Sequence, residues 1–555
     1  MTALRVLLAL LAGCAVLLGL PPAPSAQASE PRALVRVTLT AMTPALPDRD
    51  GTIELRGRVE NVTEERLHRL QAIFWRNLAP ITSAEGLQQA LQSESNVPLG
   101  NRYTPVYQDL YAPDDPYLEP GATVDFALTV DVADLQLSPA DGVFLVGVHV
   151  LQDGSPTAVG RARTFAPVLS EPPATSLRMT SLVVLSSRPS QLRRGVLADD
   201  HLAQEIRPGG RLAQLLAAAD SDQTSFAVDP ALIEELSTMR GGYSLQTADG
   251  ATADGPGQAD AADWLSRFAE VRDRRDGYSL LYGSPDVVAL VRGGQTAVLE
   301  DAAAAGQRVE ATAGLPLLVM PGDGFADDAT LRAVAELDPA AVLLSDTAAI
   351  GDGPLLAGPG GTPVVRFGST SSRGGPGPRP RNTPVQVRQR VLADTWLQAS
   401  DAPDGVTRGR VRLVTATNQI SQNEPGVEAP WMSPATLSDL LSGTPAPWDG
   451  ELVYPERARE DELTGAQLAS LGRLAESWSA YREVLGDGST VERSGQAALA
   501  RAASVGWRNQ ERHRRSFVQA QQATLDAALK DSLRISTTPK VSTVAREGVV
   551  FPITI

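Results

Sequence analysis

From about Ser176 the chain reads as seven short apolar runs, near residues 181–187, 224–229, 279–283, 315–320, 340–345, 363–367 and 410–416, mostly separated by stretches of helical period. Strands that alternate with helices pair in parallel, because each helix must cross a face of the sheet before the next strand begins. Seven such units in roughly 270 residues fit a (β/α) barrel better than an open nucleotide-binding sheet. The first run leads into Ser186-Ser187-Arg188-Pro189. That segment lacks the glycines that let backbone amides cradle a pyrophosphate, so a dinucleotide fold is disfavoured. A barrel-like domain is therefore expected over 176–455, with Thr247 to Gln258 and Gly368 to Arg381 as exposed loops rich in turn formers.

Ahead of it the period is two. Leu34 to Leu39 opens a strand, Ile53, Leu55, Gly57 and Val59 alternate, and so do Val124, Phe126, Leu128 and Val130 and then Phe144, Val146, Val148 and Val150. Half-buried antiparallel strands of this kind predict an immunoglobulin-like β-sandwich over 29–170, with a less regular insertion around 78–118. Asn61-Val62-Thr63 matches a glycosylation acceptor by chance. Beyond the barrel, Leu463, Leu468, Leu471, Leu474 and Trp478 repeat at helical spacing, as do Leu525, Ala528, Leu529 and Leu533, giving a helical appendage over 456–534. Strand character returns over 535–555 as the start of a second β-sandwich, in which strands without partners could not bury an apolar face.

The first 28 residues carry a basic start ending at Arg5, an apolar run from Val6 to Leu20 and the tail Ala26-Gln27-Ala28. This pattern predicts a signal peptide cleaved after Ala28, since the run is shorter than the ~20 residues a bilayer span needs. Leu11-Ala12-Gly13-Cys14 also fits a lipidation box, but Ala15-Val16-Leu17-Leu18 continues the apolar run past Cys14. Cys14 is the only cysteine, so the mature chain is expected to have no disulfide, thiol nucleophile or Cys-based metal site. A formal charge of -16 argues against a nucleic-acid partner. The positive charge is almost all Arg, with only Lys530 and Lys540 as lysines, a bias of GC-rich bacterial coding.

The stretches Leu197-Ala198-Asp199-Asp200, Gly209-Gly210-Arg211-Leu212, Val228-Asp229-Pro230-Ala231-Leu232, Ala261-Ala262-Asp263-Trp264-Leu265 and Ser504-Val505-Gly506-Trp507-Arg508, with Pro285-Asp286 and Ala289-Leu290 between them, resemble a family of uncharacterised actinobacterial envelope proteins usually encoded beside the lipid II flippase. The resemblance implies an exported β-sandwich, a central domain like glycoside-hydrolase or deacetylase barrels, a second β domain and a C-terminal membrane helix. It implies no established activity. The third strand here ends Leu281-Tyr282-Gly283-Ser284-Pro285-Asp286, where relatives tend to carry one more acidic residue.

A deacetylase-type metal needs paired histidines with an aspartate, and His68, His149, His201 and His513 share no helix face, so no metal and no cofactor are expected. A Ser-His-Asp triad would have to use His201 beside Asp199 and Asp200; the alternative is an exposed histidine at a helix start capped by Asp200. In a barrel the residues just after each strand gather at one rim, which here would hold Asp229, Asp286, Asp323 and Asp346. Two of them could act as acid and base, or acid and nucleophile, on a glycosidic bond. The competing reading, favoured here, is that each caps the following helix, as Asp229-Pro230 and Pro285-Asp286 suggest. Trp264, Trp396, Trp431 and Trp448 could stack on sugars, with Trp264 and Trp396 expected in the core instead. The sequence thus points to an exported envelope protein that binds or scaffolds in cell-wall assembly, with envelope proteins or wall glycan as partners. A glycan hydrolase working through rim carboxylates and an extracytoplasmic sensor are the alternatives.

Overall fold

The computed structural model describes residues 33–247, 251–370, 372–401, 408–420, 428–485 and 490–532. The expectations for the leader, Cys14 and 535–555 lie outside the described residues.

The N-terminal unit is built from seven principal strands: β1 (Val35–Thr43), β2 (Thr52–Asn61), β3 (Leu70–Arg76), β4 (Asn101–Asp109), β5 (Thr123–Asp131), β6 (Gly142–Gln152) and β7 (Gly160–Val168). They form two antiparallel sheets, β1-β2-β5 and β4-β3-β6-β7, whose inner faces share one core. Alternation does the work expected of it: Val35, Val37 and Leu39 point inward, with Val37 across from Val59 and Met42 across from Leu55, each worth ~1.5–3 kcal/mol when fully buried. Gly57 takes its inward place in that alternation without a side chain, because a Cβ there would lie 2.3 Å from the Thr38 carbonyl oxygen and 2.5 Å from the Phe126 ring. The stretch expected to be an irregular insertion instead contributes α1 (Ala84–Gln92), capped by Ser83, and the edge strand β4.

Seven parallel strands follow: β8 (Leu177–Leu185), β9 (Thr224–Val228), β10 (Asp276–Leu280), β11 (Leu317–Val319), β12 (Ala341–Ser345), β13 (Pro363–Phe367) and β14 (Arg408–Val414). They pair in that order, and β14 and β9 both flank β8, so the sheet closes into a barrel. Inward residues such as Leu182, Val184, Tyr278, Leu343 and Val411 fill it, so it is a packed core. A short helix at Leu437–Leu441 plugs the amino-terminal end, where Leu437 N–H donates to Ser225 Oγ at 2.7 Å. The connections carry α2 (His201–Ile206), α3 (Arg211–Ala219), α4 (Pro230–Arg240), α5 (Gln258–Arg274), α6 (Val287–Arg292), α7 (Ala297–Gln307), α8 (Asp328–Ala335) and α9 (Pro384–Ser400). No α-helix joins β12 to β13; the strand Leu355–Ala357 folds back antiparallel on β13 instead.

The described parts of the two expected loops hold defined structure. Thr252–Asp254 pairs with Ser244–Gln246, and Gly374 and Gly375 are buried, the latter against Leu91 and Phe165. The C-terminal helices α10 (Gly465–Leu485), α11 (Thr490–Ala502) and α12 (Glu511–Ser532) share a core with the barrel's outer surface through Leu471, Leu474, Trp507 and Phe517. They are therefore part of the barrel wall. Among the described residues no helix is long and apolar enough to cross a membrane.

Candidate functional site at the barrel mouth

Strand alternation continues past the carboxyl ends of the strands and decides which residues face the mouth. Leu182 and Val184 point inward, so Ser186 follows them; Leu343 precedes Ser345, Val365 precedes Phe367, and Leu413 precedes Thr415. These residues line a cleft of about 760 Å³ at the end where barrel enzymes place their chemistry. Hydroxyls of Ser284, Thr347, Ser369 and Ser372 join them, with the guanidinium groups of Arg373, Arg457 and Arg508. The cleft's only aromatic side chains among the described residues are Phe325 and Phe367.

The four rim aspartates divide sharply. Asp229 is 1% exposed and lies beneath the turn that follows β10. Its Oδ1 accepts from Ala231 N–H and Gly283 N–H, both at 2.8 Å, and its Oδ2 accepts from Ser284 Oγ at 2.9 Å. Burial pushes its carboxyl up to about 6, against those donors and the more distant Arg501, which pull it down. The turn covers Asp229 because Gly283 and Ser284 both have positive φ, and a Cβ on Gly283 would come within 3.2 Å of the Ala500 backbone. Asp286 is fully buried and caps α6, accepting from Ala289 N–H at 3.4 Å and from Leu463 N–H at 3.2 Å. Arg508 grips it with two nitrogens, Nη2 at 2.9 Å from Oδ1 and Nε at 3.0 Å from Oδ2. Gly322 permits this, since a Cβ there would lie 2.4 Å from the guanidinium carbon.

The capping expectation holds for those two and fails for the others. Asp323 sits at φ +55 in the turn after β11, 64% of its side chain exposed, with Oδ2 3.4 Å from Arg508 Nη1; the cap of α8 is Asp327. Asp346 precedes no helix and accepts from Ser369 N–H at 3.0 Å. Of the four, only Asp323 lines the cleft. Sequence reading missed the second carboxylate there, Asp461, which receives Asn509 Nδ2 at 3.2 Å, and missed all three arginines. The Ser504-Val505-Gly506-Trp507-Arg508 stretch was the available signal, because its last residue enters the mouth.

None of the four tryptophans lines the cleft. Trp264, Trp396 and Trp431 are buried, and Trp448 donates its ring N–H to the Ile350 carbonyl at 2.7 Å. Among the described residues no group of three or more His, Cys, Asp or Glu side chains could hold a metal ion.

His201 is not the exposed helix-start residue expected. Asp200 makes no side-chain cap; Asp199 instead accepts His201 N–H at 3.3 Å and contacts ring Nδ1. Nε2 lies 3.2 Å from Ser187 Oγ, which places Ser187, His201 and Asp199 in sequence like a triad. The proton inventory argues otherwise. Nε2 also faces the Arg188 carbonyl at 3.1 Å, while Nδ1 lies between the Asp199 carboxylate and Arg188 Nη2 at 3.1 Å, so both ring nitrogens are shared among competing partners. Ser187 Oγ donates to Glu205 at 2.8 Å, so its proton is directed away from the ring that would have to take it. Arg188 completes the lattice with Asp199 at 2.7 Å. Burial would raise the Asp199 carboxyl, but His201 and Arg188 together hold it well below the usual range.

In sequence, residues 1–349 match the family of unknown function DUF6049. The chain belongs to that family. Comparison with curated proteins finds no match. Among solved structures, this DUF6049 member is similar in shape to the α-amylase AmyC of Thermotoga maritima, with a TM-score of 0.43 and 9% identity over 65% of this chain and 95% of that one. It is also similar to a 4-α-glucanotransferase of Thermococcus litoralis, with a TM-score of 0.36 and 11% identity over 62% of this chain and 55% of that one. The barrel itself rests on the strand pairing described above.

Proposed function

We propose that this protein is an exported, non-catalytic binding component of the cell envelope, whose barrel mouth takes a hydroxyl-rich ligand bearing negative charge, such as a wall glycan. The observation that carries this reading is the occupation of the two buried carboxylates: every oxygen of Asp229 and Asp286 already accepts from the protein, and neither lines the cleft. A glycosidase needs two carboxyl groups facing one open bond. What the cleft offers is a ring of hydroxyls for sugar hydroxyls, with exposed Arg373 and Arg457 for an anionic group. Export rests on the three-region leader. The sheet orders β1-β2-β5 and β4-β3-β6-β7 support an immunoglobulin-type spacer ahead of the barrel.

Calorimetric titration of peptidoglycan and arabinogalactan fragments into the whole chain tests the proposal. Binding weakened about tenfold by Arg457→Gln, with the fragments recovered intact, is the expected result. The hydrolase reading retains one specific support, that Asp323 and Asp461 both line the cleft. Cleavage of a fragment that Asp323→Asn or Asp461→Asn abolishes would replace binding with catalysis.

A further inference from the structure

A second polar cavity, of about 230 Å³, lies far in sequence from the barrel, on the outer face of the four-stranded sheet. Its floor is one cross-strand row. Arg102 on β4 pairs with Trp75 on β3, Trp75 pairs with Gly147 on β6, and Gly147 pairs with Arg163 on β7. Directly opposed residues of one row share a face, so these side chains converge. Gly147 leaves the gap across which Arg163 reaches to lie 4.0 Å from the Trp75 ring centre, and a Cβ there would meet the Ala162 carbonyl oxygen at 2.2 Å. In the next row His149 pairs with Arg161 and stacks on Trp75 at 5.5 Å.

Four cationic or ionisable groups therefore meet with no acidic side chain lining the cavity. Arg163 is 7% exposed and His149 8% exposed. Arg163 Nε and His149 Nε2 have no hydrogen-bond partner among the described residues, and Arg163 makes no ion pair among them. Burial first, and then the neighbouring guanidinium groups, push His149 down to about 3 and Arg163 down to about 10. A fold does not ordinarily keep a buried guanidinium whose only partner is an aromatic face, because burying a charge without an anion to offset it is costly. The arrangement makes physical sense when a negative ligand completes it.

We propose that the cavity bounded by Trp75, Arg102, His149, Arg161 and Arg163 is a binding site for a small oxyanion, a phosphate or carboxylate group. Arg163 supplies two or more N–H donors in a fixed fork, His149 Nε2 supplies another once protonated, and Trp75 holds both in place. The site is separate from the barrel mouth and does not depend on the reading given to it.

The test uses the whole chain and thermal unfolding in sodium phosphate, sodium glucuronate and, at matched ionic strength, sodium chloride. The wild type is expected to show a saturable rise in Tm with phosphate, glucuronate or both. Arg163→Met keeps the stem over Trp75 and removes the charge. It is expected to melt no lower than wild type in chloride and to bind about tenfold more weakly or not at all. His149→Phe keeps the stack on Trp75 and serves as a second variant, also expected to weaken binding. Saturation by phosphate alone would assign the site to phosphoryl groups, and saturation by both anions to oxyanions in general. No saturable rise beyond chloride in the wild type, or an undiminished rise in both variants, would overturn the proposal.

Discussion

Arg508 holds Asp286 by two parallel hydrogen bonds at 2.9 and 3.0 Å, joining the turn after α11 to the carboxylate that caps α6 across 222 residues of sequence. Both groups are almost wholly withdrawn from water, so neither can lose its partner cheaply. Arg508→Met should cost about 3–5 kcal/mol by stranding the carboxylate. Asp286→Asn should also be damaging, although Asn caps a helix about as well as Asp, because its NH2 would face donors that the second oxygen now receives. Urea unfolding of both variants checks this, and an Asp286→Asn variant as stable as wild type would show that capping is the residue's whole role.

Asp229 should behave differently. Asn keeps an oxygen for the amides of Ala231 and Gly283, and Ser284 can turn its hydroxyl to accept. The carboxyl is raised to about 6 in the fold, above its ordinary 3.8, chiefly by burial. A raised carboxyl favours the neutral form, so its contribution is fully present below pH 4 and is lost as pH rises through 6, an effect of about 3 kcal/mol. Asp229→Asn, which cannot ionise, should remove that slope. Subtracting the two stability profiles between pH 4 and 7 isolates the effect, and parallel profiles would contradict it.

The barrel was legible because its strands are buried on both faces and therefore appear as continuous apolar runs. All seven expected runs overlap the seven strands of the closed barrel. Asp229 was legible as a cap because proline at the first helical position tolerates the missing N–H that a cap position exposes. The mouth was much less so. Asp323 was assigned to a helix start that belongs to Asp327, since nothing in the local pattern reveals the positive φ of the Gly322–Gly324 turn. Arg508 reaches the site from a segment whose periodicity announces only helices, and such long-range ion pairs leave no local pattern. The convergence of His149 and Arg163 on Trp75 was invisible for a related reason, because it is set by register between strands.

Gly324 should be irreplaceable at the mouth. Its φ is +73, and a Cβ would lie 2.4 Å from the Phe367 ring and 2.7 Å from the Ser345 amide nitrogen. Gly324→Ala must move the ring that floors the cleft as well as adopt a strained backbone, at a cost of about 1–3 kcal/mol. Calorimetric melting reads the cost, and unchanged stability would mean that the turn relaxes without disturbing β12 or β13.

The Ser187, His201 and Asp199 cluster gives the last prediction, because a nucleophile and a structural lattice respond differently to the same reagent. A catalytic serine must give its proton to an unprotonated Nε2, and its base must be free of competing contacts. Here Nε2 also faces the Arg188 carbonyl, and the Ser187 hydroxyl is directed to Glu205, itself tied to Arg211 at 2.7 Å. Ser187 should therefore not be labelled by a fluorophosphonate, a reagent that reports activated serines. Ser187→Ala should cost only about 1 kcal/mol, the worth of one hydrogen bond. His201→Ala should cost more, since it leaves Asp199 with Arg188 alone to offset burial. Mass spectrometry of the treated whole chain decides the matter. Stoichiometric label on Ser187 that disappears in both Ser187→Ala and a still-folded His201→Ala would make the cluster a nucleophilic site and give this family member an acyl-transfer activity.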